Sequence, residues 1–109
     1  MAEWYPRLYL GEKARKKKRK LMAQVNRGRF YPGLYLITEA ANGVDQLDII
    51  DSKCILMERV HRLLPPVVGM ALGYEEAIEV LMDITRETYE ATGDAQVLEF
   101  IRQRAEQKR

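Results

Sequence analysis

From Tyr74 to Thr92 the chain runs without proline or glycine, bounded by Gly73 and Gly93. Ala77, Ile78, Leu81, Met82, Thr85, Thr88 and Tyr89 recur at helical spacing, and Val80 and Ile84 widen the face they make. Residues three and four apart stack on a helix, so this spacing predicts one amphipathic helix over the whole stretch. Glu75 and Glu76 in its first turn complement the macrodipole, and Gly93 supplies the stop. Such a helix must lay its apolar stripe on another element.

The segments before it read as a sheet. Leu34-Tyr35-Leu36-Ile37-Thr38 and Leu47-Asp48-Ile49-Ile50 are rich in β-formers, with Asn42-Gly43 between them. An Asn-Gly pair suits a type I′ hairpin turn, since both residues tolerate positive φ. Pairing Ala41 with Val44 then sets Thr38 against Leu47, Leu36 against Ile49 and Leu34 against Asp51. The other face pairs Tyr35 with Ile50, Ile37 with Asp48 and Glu39 with Gln46. One face is nearly apolar and the other mixed, the pattern of a sheet covered on one side. Val67 to Leu72 reads as a short buried strand, and its Gly69, with Gly73, as positions of close strand–helix approach. Residues 52–64 admit two readings. Leu56, Met57, Val60, Leu63 and Leu64 keep helical spacing, with Asp51 or Ser52 to cap, whereas Cys54-Ile55-Leu56-Met57 can extend the meander as a strand. Asp94 can cap a last helix through Val97, Leu98, Ile101 and Ala105.

The fold class expected is therefore α+β: a small sheet, a hairpin plus one further strand, covered on one face by amphipathic helices. At 109 residues the chain has the size of one domain and needs no disulfide or metal to stabilise it. Residues 1–11, with Pro6 and Gly11 and no sustained period, read as a flexible N-terminal tail from which Trp4 or Tyr9 can dock. Residues 12–29 read as a basic helical arm, and residues 30–106 as the single α+β domain. Within the arm, Leu21, Met22 and Val25 make a short apolar stripe, so a helix is expected from 14 to 27, with Gly28 after it and Pro32 blocking continuation.

The net charge of +2 conceals a division. Residues 1–29 carry ten Lys or Arg against Glu3 and Glu12, residues 30–101 carry four against thirteen Asp or Glu, and residues 102–109 carry four against Glu106. Seven charges crowd Lys13 to Lys20. They point all round a helix, because each residue turns about 100°, and their repulsion should fray its first half. Glu76, Glu79, Asp83, Glu87 and Glu90 form a stripe opposite the apolar face of the long helix, and the basic arm is expected to rest near it.

The chemistry-bearing residues are few. A single cysteine and a single histidine exclude an internal disulfide and Cys- or His-rich metal centres. Cys54 in an apolar run reads as a buried hydrophobe and His61 as a surface residue. Asp45, Asp48 and Asp51 do not converge in a hairpin and lack the EF-hand pattern. Gly69 to Gly73 lacks both the dinucleotide glycine spacing and a P-loop Lys-Ser/Thr. No cofactor and no metal are expected. The apolar stretches are too short to span a bilayer, and the N-terminal order of aromatics then cations is wrong for a secretory signal, so a cytoplasmic protein is expected.

Two candidate surfaces remain. Lys13, Arg15, Lys16, Lys17, Lys18, Arg19 and Lys20 can displace counterions from a phosphate backbone, with Trp4, Tyr5 and Tyr9 near for stacking. The mixed hairpin face with Tyr35, Ile37 and Ile50, and the acidic stripe of Glu76, Glu79, Asp83, Glu87 and Glu90, offer a protein interface, self-association included. The expected function is non-enzymatic binding of a protein partner or of a second copy. Nucleic-acid binding through the basic arm is the alternative, and a small hydrolase or transferase is a third.

Overall fold

Val67-Val68-Gly69-Met70-Ala71-Leu72 is apolar at nearly every position, as a strand covered on both faces must be. In the structure, a computed structural model that describes residues 2–42 and 45–107, this segment is an inner strand. Four strands, β1 (Trp4–Leu10), β2 (Leu34–Glu39), β3 (Leu47–Asp51) and β4 (Val67–Leu72), form one mixed sheet in the order β1-β4-β2-β3. β1 runs parallel to β4, and the other pairs are antiparallel. The helices are α1 (Glu12–Arg15), α2 (Lys18–Asn26), α3 (Glu58–Arg62) after a 3-10 turn (Ser52–Leu56), α4 (Tyr74–Thr92) and α5 (Val97–Gln107).

The α+β class is as expected, with two differences: a fourth strand, and helices on both faces. Ala14, Leu21, Val25 and Ile55 pack with Leu34, Leu36, Val67 and Met70 on one face. Ala77, Val80, Ile84, Val97 and Ile101 pack with Ile37, Val68 and Ala71 on the other. The two clusters take alternate residues of β2 and β4, because side chains alternate across a strand.

This second layer also explains the hairpin register. Leu36 pairs with Ile50, Ile37 with Ile49, Thr38 with Asp48, Glu39 with Leu47 and Tyr35 with Asp51, one residue away from the expected register. A tight turn would set Ile37 against Asp48, which suits a face open to water. With both faces covered, the register that gives each an apolar pair, Leu36–Ile50 and Ile37–Ile49, wins. The connection is correspondingly longer: Ala40 N–H donates to Gln46 O (3.1 Å), and Asp45 N–H donates to Asn42 Oδ1 (2.9 Å). The Gly43 position of the expected turn, and Val44, lie outside the described residues.

Residues 4–10 are not a loose tail. Asn26 Oδ1 accepts from Trp4 Nε1 (2.9 Å) and from Ala2 N (3.1 Å), tying the start of β1 to the end of α2. The pairing with β4 is irregular between Trp4 and Tyr9, where Pro6 and Arg7 lie exposed on the edge. A proline is tolerated there because an edge strand need not donate from every residue. The bulge erases the period of two, which is why the strand does not show in the sequence. Beside it, a Cβ at Gly69 would stand 2.3 Å from the carbonyl oxygen of Tyr9. Gly69 therefore serves an approach of strand to strand, not of strand to helix.

Residues 52–64 are helical, the first of the two readings, but broken. Asp51 caps the 3-10 turn by accepting from Lys53 N (2.9 Å), and the extended Met57 separates that turn from α3. Among the described residues no helix is long and apolar enough to cross a membrane.

Candidate functional site

The basic run folds as α1, a turn at Lys16–Lys17, and α2. Ala14, Leu21 and Val25 are fully buried on one side of it, while all seven cations from Lys13 to Lys20 are exposed on the other. Burying one Leu or Val side chain contributes about 1.5–3 kcal/mol. A like-charge pair at i,i+4 costs only about 0.2–0.5 kcal/mol. Packing therefore outweighs repulsion, and the run is a packed layer where a helix frayed in its first half was expected. The crowding of like charge coincides with the break in the helix: Lys17, at φ −122 and ψ 22, leaves the helical conformation and becomes the N-cap of α2.

Glu76 of α4 closes the start of this layer. Its carboxylate accepts from Lys13 N (2.9 Å) and from Leu72 N (2.7 Å). It supplies α1 with a cap that Gly11 lacks. Expected as part of an interaction stripe, Glu76 is instead an internal tie.

At the other end, Lys17 Nζ donates to the Tyr31 hydroxyl (3.1 Å), and Lys17 and Lys20 Nζ each stand 5.7 Å from the centre of the Tyr31 ring. The Lys17 hydrogen bond, followed by the charges of Lys17 and Lys20, lowers the pKa of Tyr31. Lys53 lies 5.8 Å from the Phe30 ring. His61 Nε2 is 2.8 Å from Val25 O. A carbonyl only accepts, so this nitrogen carries the proton and ties α3 to the last turn of α2. Half-buried His61 is thus less of a surface residue than expected, and Cys54, expected to be buried, is exposed.

These contacts redistribute the charge. Residues 12–33 and 52–64 make one layer, with twelve Lys or Arg against Glu12 and Glu58. Residues 74–107 make the opposite layer, with nine Asp or Glu against Arg86, Arg102 and Arg104. The division read along the chain becomes a division across the sheet. Lys53, Arg59 and Arg62, which sequence position assigns to the acidic middle, join the positive side, and no local pattern marks them. Arg15, Lys16, Lys17, Lys18, Arg19 and Lys20 alone line an open depression of about 590 Å³.

As expected, the basic run rests beside the acidic stripe: Lys13 and Lys16 line one groove with Glu75, Glu76 and Glu79, although only Glu76 accepts a hydrogen bond from it. Among the described residues the ion pairs are Arg86–Asp83, Arg102–Glu39 and Arg104–Glu87, and none uses Lys13 to Lys20. Arg7 and Arg15 share a groove with Asp83, Glu87 and Glu90 at the β1 edge without closing a pair. Glu79, Asp83 and Glu90 are exposed on α4, while Glu87 is held by Arg104, which also donates to the Tyr9 hydroxyl.

Tyr35, Ile37 and Ile50 do not form an open patch. Ile37 is fully buried, Tyr35 lies edge-on to Tyr74 at 5.6 Å, and Ile50 belongs to the opposite face of the sheet. The second helical layer covers what one layer would have left bare.

A further polar cluster joins β1, β2 and α5. Glu39 accepts from the Tyr5 hydroxyl (2.6 Å) and from Arg102 (2.7 Å). Burial, and then the Glu39 carboxylate, push the Tyr5 pKa up to about 12. An unfolded chain loses that proton near pH 10 while the folded chain keeps it, so the stabilisation is complete below about pH 10 and is lost through about pH 12. Spectrophotometric titration of tyrosinate should show one fewer late-titrating phenol in Tyr5→Phe. The variant's stability should fall less than wild type between about pH 10 and 12, and parallel falls would refute the assignment.

Among the described residues no group of three His, Cys, Asp or Glu is placed to hold a metal ion. Comparison with family models, curated proteins and solved structures gives no match for this chain.

Proposed function

We propose that this is a binding protein that holds a polyanion, the phosphate backbone of a nucleic acid, on the α1–α2 layer. The observation that carries this reading is the depression lined by Arg15 to Lys20, six consecutive cations fixed on a packed scaffold and outside every ion pair among the described residues. A backbone already fixed by the burial of Ala14, Leu21 and Val25 loses less freedom on binding than that of a mobile arm. Contacts of this kind give affinity without reading sequence. Tyr31, set between Lys17 and Lys20, adds a ring beside the phosphate track. The sheet-face route to a protein partner loses its support, because both faces are covered.

The test is titration of labelled single- and double-stranded oligonucleotides across a salt series. Contact with about six phosphates predicts a log–log slope of about −5 for duplex and about −4 for single strands. Absence of binding at low salt would end this reading.

A further inference from the structure

Two exposed apolar clusters are left over by the packing of the two layers. On the positive layer, Leu56, Met57 and Leu63 are 60, 64 and 63% exposed. They sit on the 3-10 turn and at the two ends of α3, among the exposed cations Lys53, Arg59 and Arg62. This is the helical stripe expected to be buried; only Val60 and Leu64 of it are half-buried. On the negative layer, Met82 and Tyr89 are 61 and 63% exposed. Seven residues apart on α4, they lie on one side of the helix, about 10 Å apart along its axis. Arg86 lies between them, paired with Asp83, and the exposed Glu75, Glu79 and Glu90 lie around them, so the stripe is acidic on balance.

We infer that the α4 stripe of one copy seats on the Leu56–Leu63 cluster of a second copy, in a head-to-tail contact. Charge complementarity identifies the occupant. Lys53, Arg59 and Arg62 on one side, and Glu75, Glu79 and Glu90 on the other, take part in no ion pair among the described residues. The clusters lie on opposite faces of the sheet, so one chain cannot join its own two. Two positive layers repel each other, as do two negative layers, which disfavours a symmetric dimer through either face and favours the unlike pairing. A contact between two different surfaces leaves one of each unfilled at the ends, so it extends beyond a dimer unless it closes into a ring. The apolar pairs supply burial and the charged rim fixes orientation and salt sensitivity. This contact uses α3 and α4, leaving the Arg15–Lys20 depression free, and it stands or falls apart from the proposed function.

The test is sedimentation velocity of the full chain in buffer free of nucleic acid, over a concentration series at about 50 and 200 mM salt. Wild type should reach a weight-average mass more than twice that of the monomer at low salt, and less at high salt. Met57→Glu/Leu63→Glu blocks the first surface and Met82→Lys/Tyr89→Lys the second, all at exposed positions that the fold does not use. Each variant alone should be monomeric. Their equimolar mixture should give a dimer and nothing larger, because each retains the surface the other has lost, and formation of that dimer also shows that both variants are folded. A wild type that stays monomeric throughout, a variant that still self-associates, or a mixture of folded variants that does not pair would overturn the inference.

Discussion

Replacing Lys16, Lys17, Lys18 and Arg19 together with alanine should weaken oligonucleotide binding by about a hundredfold or more at low salt, and should flatten the salt slope by about 3–4. Each cation withdrawn from a phosphate ends the release of about one counterion, so the change in slope reports how many phosphates the protein no longer neutralises, separately from the weaker affinity. The four side chains are exposed, and the apolar anchors Ala14, Leu21 and Val25 remain, so the fold should survive. Its stability should change little, because relief of like-charge repulsion around the Lys16–Lys17 turn is offset by loss of the Lys17 hydrogen bond to Tyr31. Fluorescence anisotropy gives the slope, and thermal unfolding the stability. A variant that binds as wild type, with an unchanged slope, would remove the α1–α2 layer from the binding surface.

Gly69→Ala is expected to cost about 3 kcal/mol or more, lowering Tm by more than about 10 °C for a domain of this size. The added methyl would lie 2.3 Å from the carbonyl oxygen of Tyr9, a backbone atom of the neighbouring strand. No side-chain rotation relieves such a contact, so β1 must move off β4. That move strains the Gly11 N–H donation to Met70 O (3.0 Å) and the tie of Arg104 to the Tyr9 hydroxyl. Gly93→Ala is the matched control. Gly93 has φ +79 with open space where a Cβ would lie, so only backbone strain opposes alanine there, about 1 kcal/mol. If calorimetry finds Gly69→Ala no worse than Gly93→Ala, the close approach of β1 to β4 is not what position 69 demands.

Much of this architecture is legible in the sequence, and the limits have physical causes. α4 shows because its stripe runs from Ala77 to Tyr89 between two glycines, a signal carried by one element alone. β4 shows because every side of it is apolar, yet that same fact implied two covered faces, and the hairpin, read as half-exposed, pulled the other way. The register of β2 on β3 depends on what covers both faces, which no pairing rule within the hairpin contains. β1 was hidden by its bulge at Pro6 and by Gly69, sixty residues away in sequence, which makes room for it. The cations Lys13 to Lys20 were legible as a run. Their fixing in place was not, because it rests on Glu76 and Tyr31 as well as on Leu21 and Val25. Nor was the alliance with Arg59 and Arg62, created by the His61 tie to Val25.

The uneven division of charge between the two layers gives the molecule an electric moment directed from one layer to the other, despite its small net charge. In the field of a charged polymer such a body experiences a torque as well as a pull. It is turned before it touches, with the lysine side inward and α4 outward, so encounters begin in a nearly uniform orientation. Every copy that lands would then show its neighbours the same outer surface.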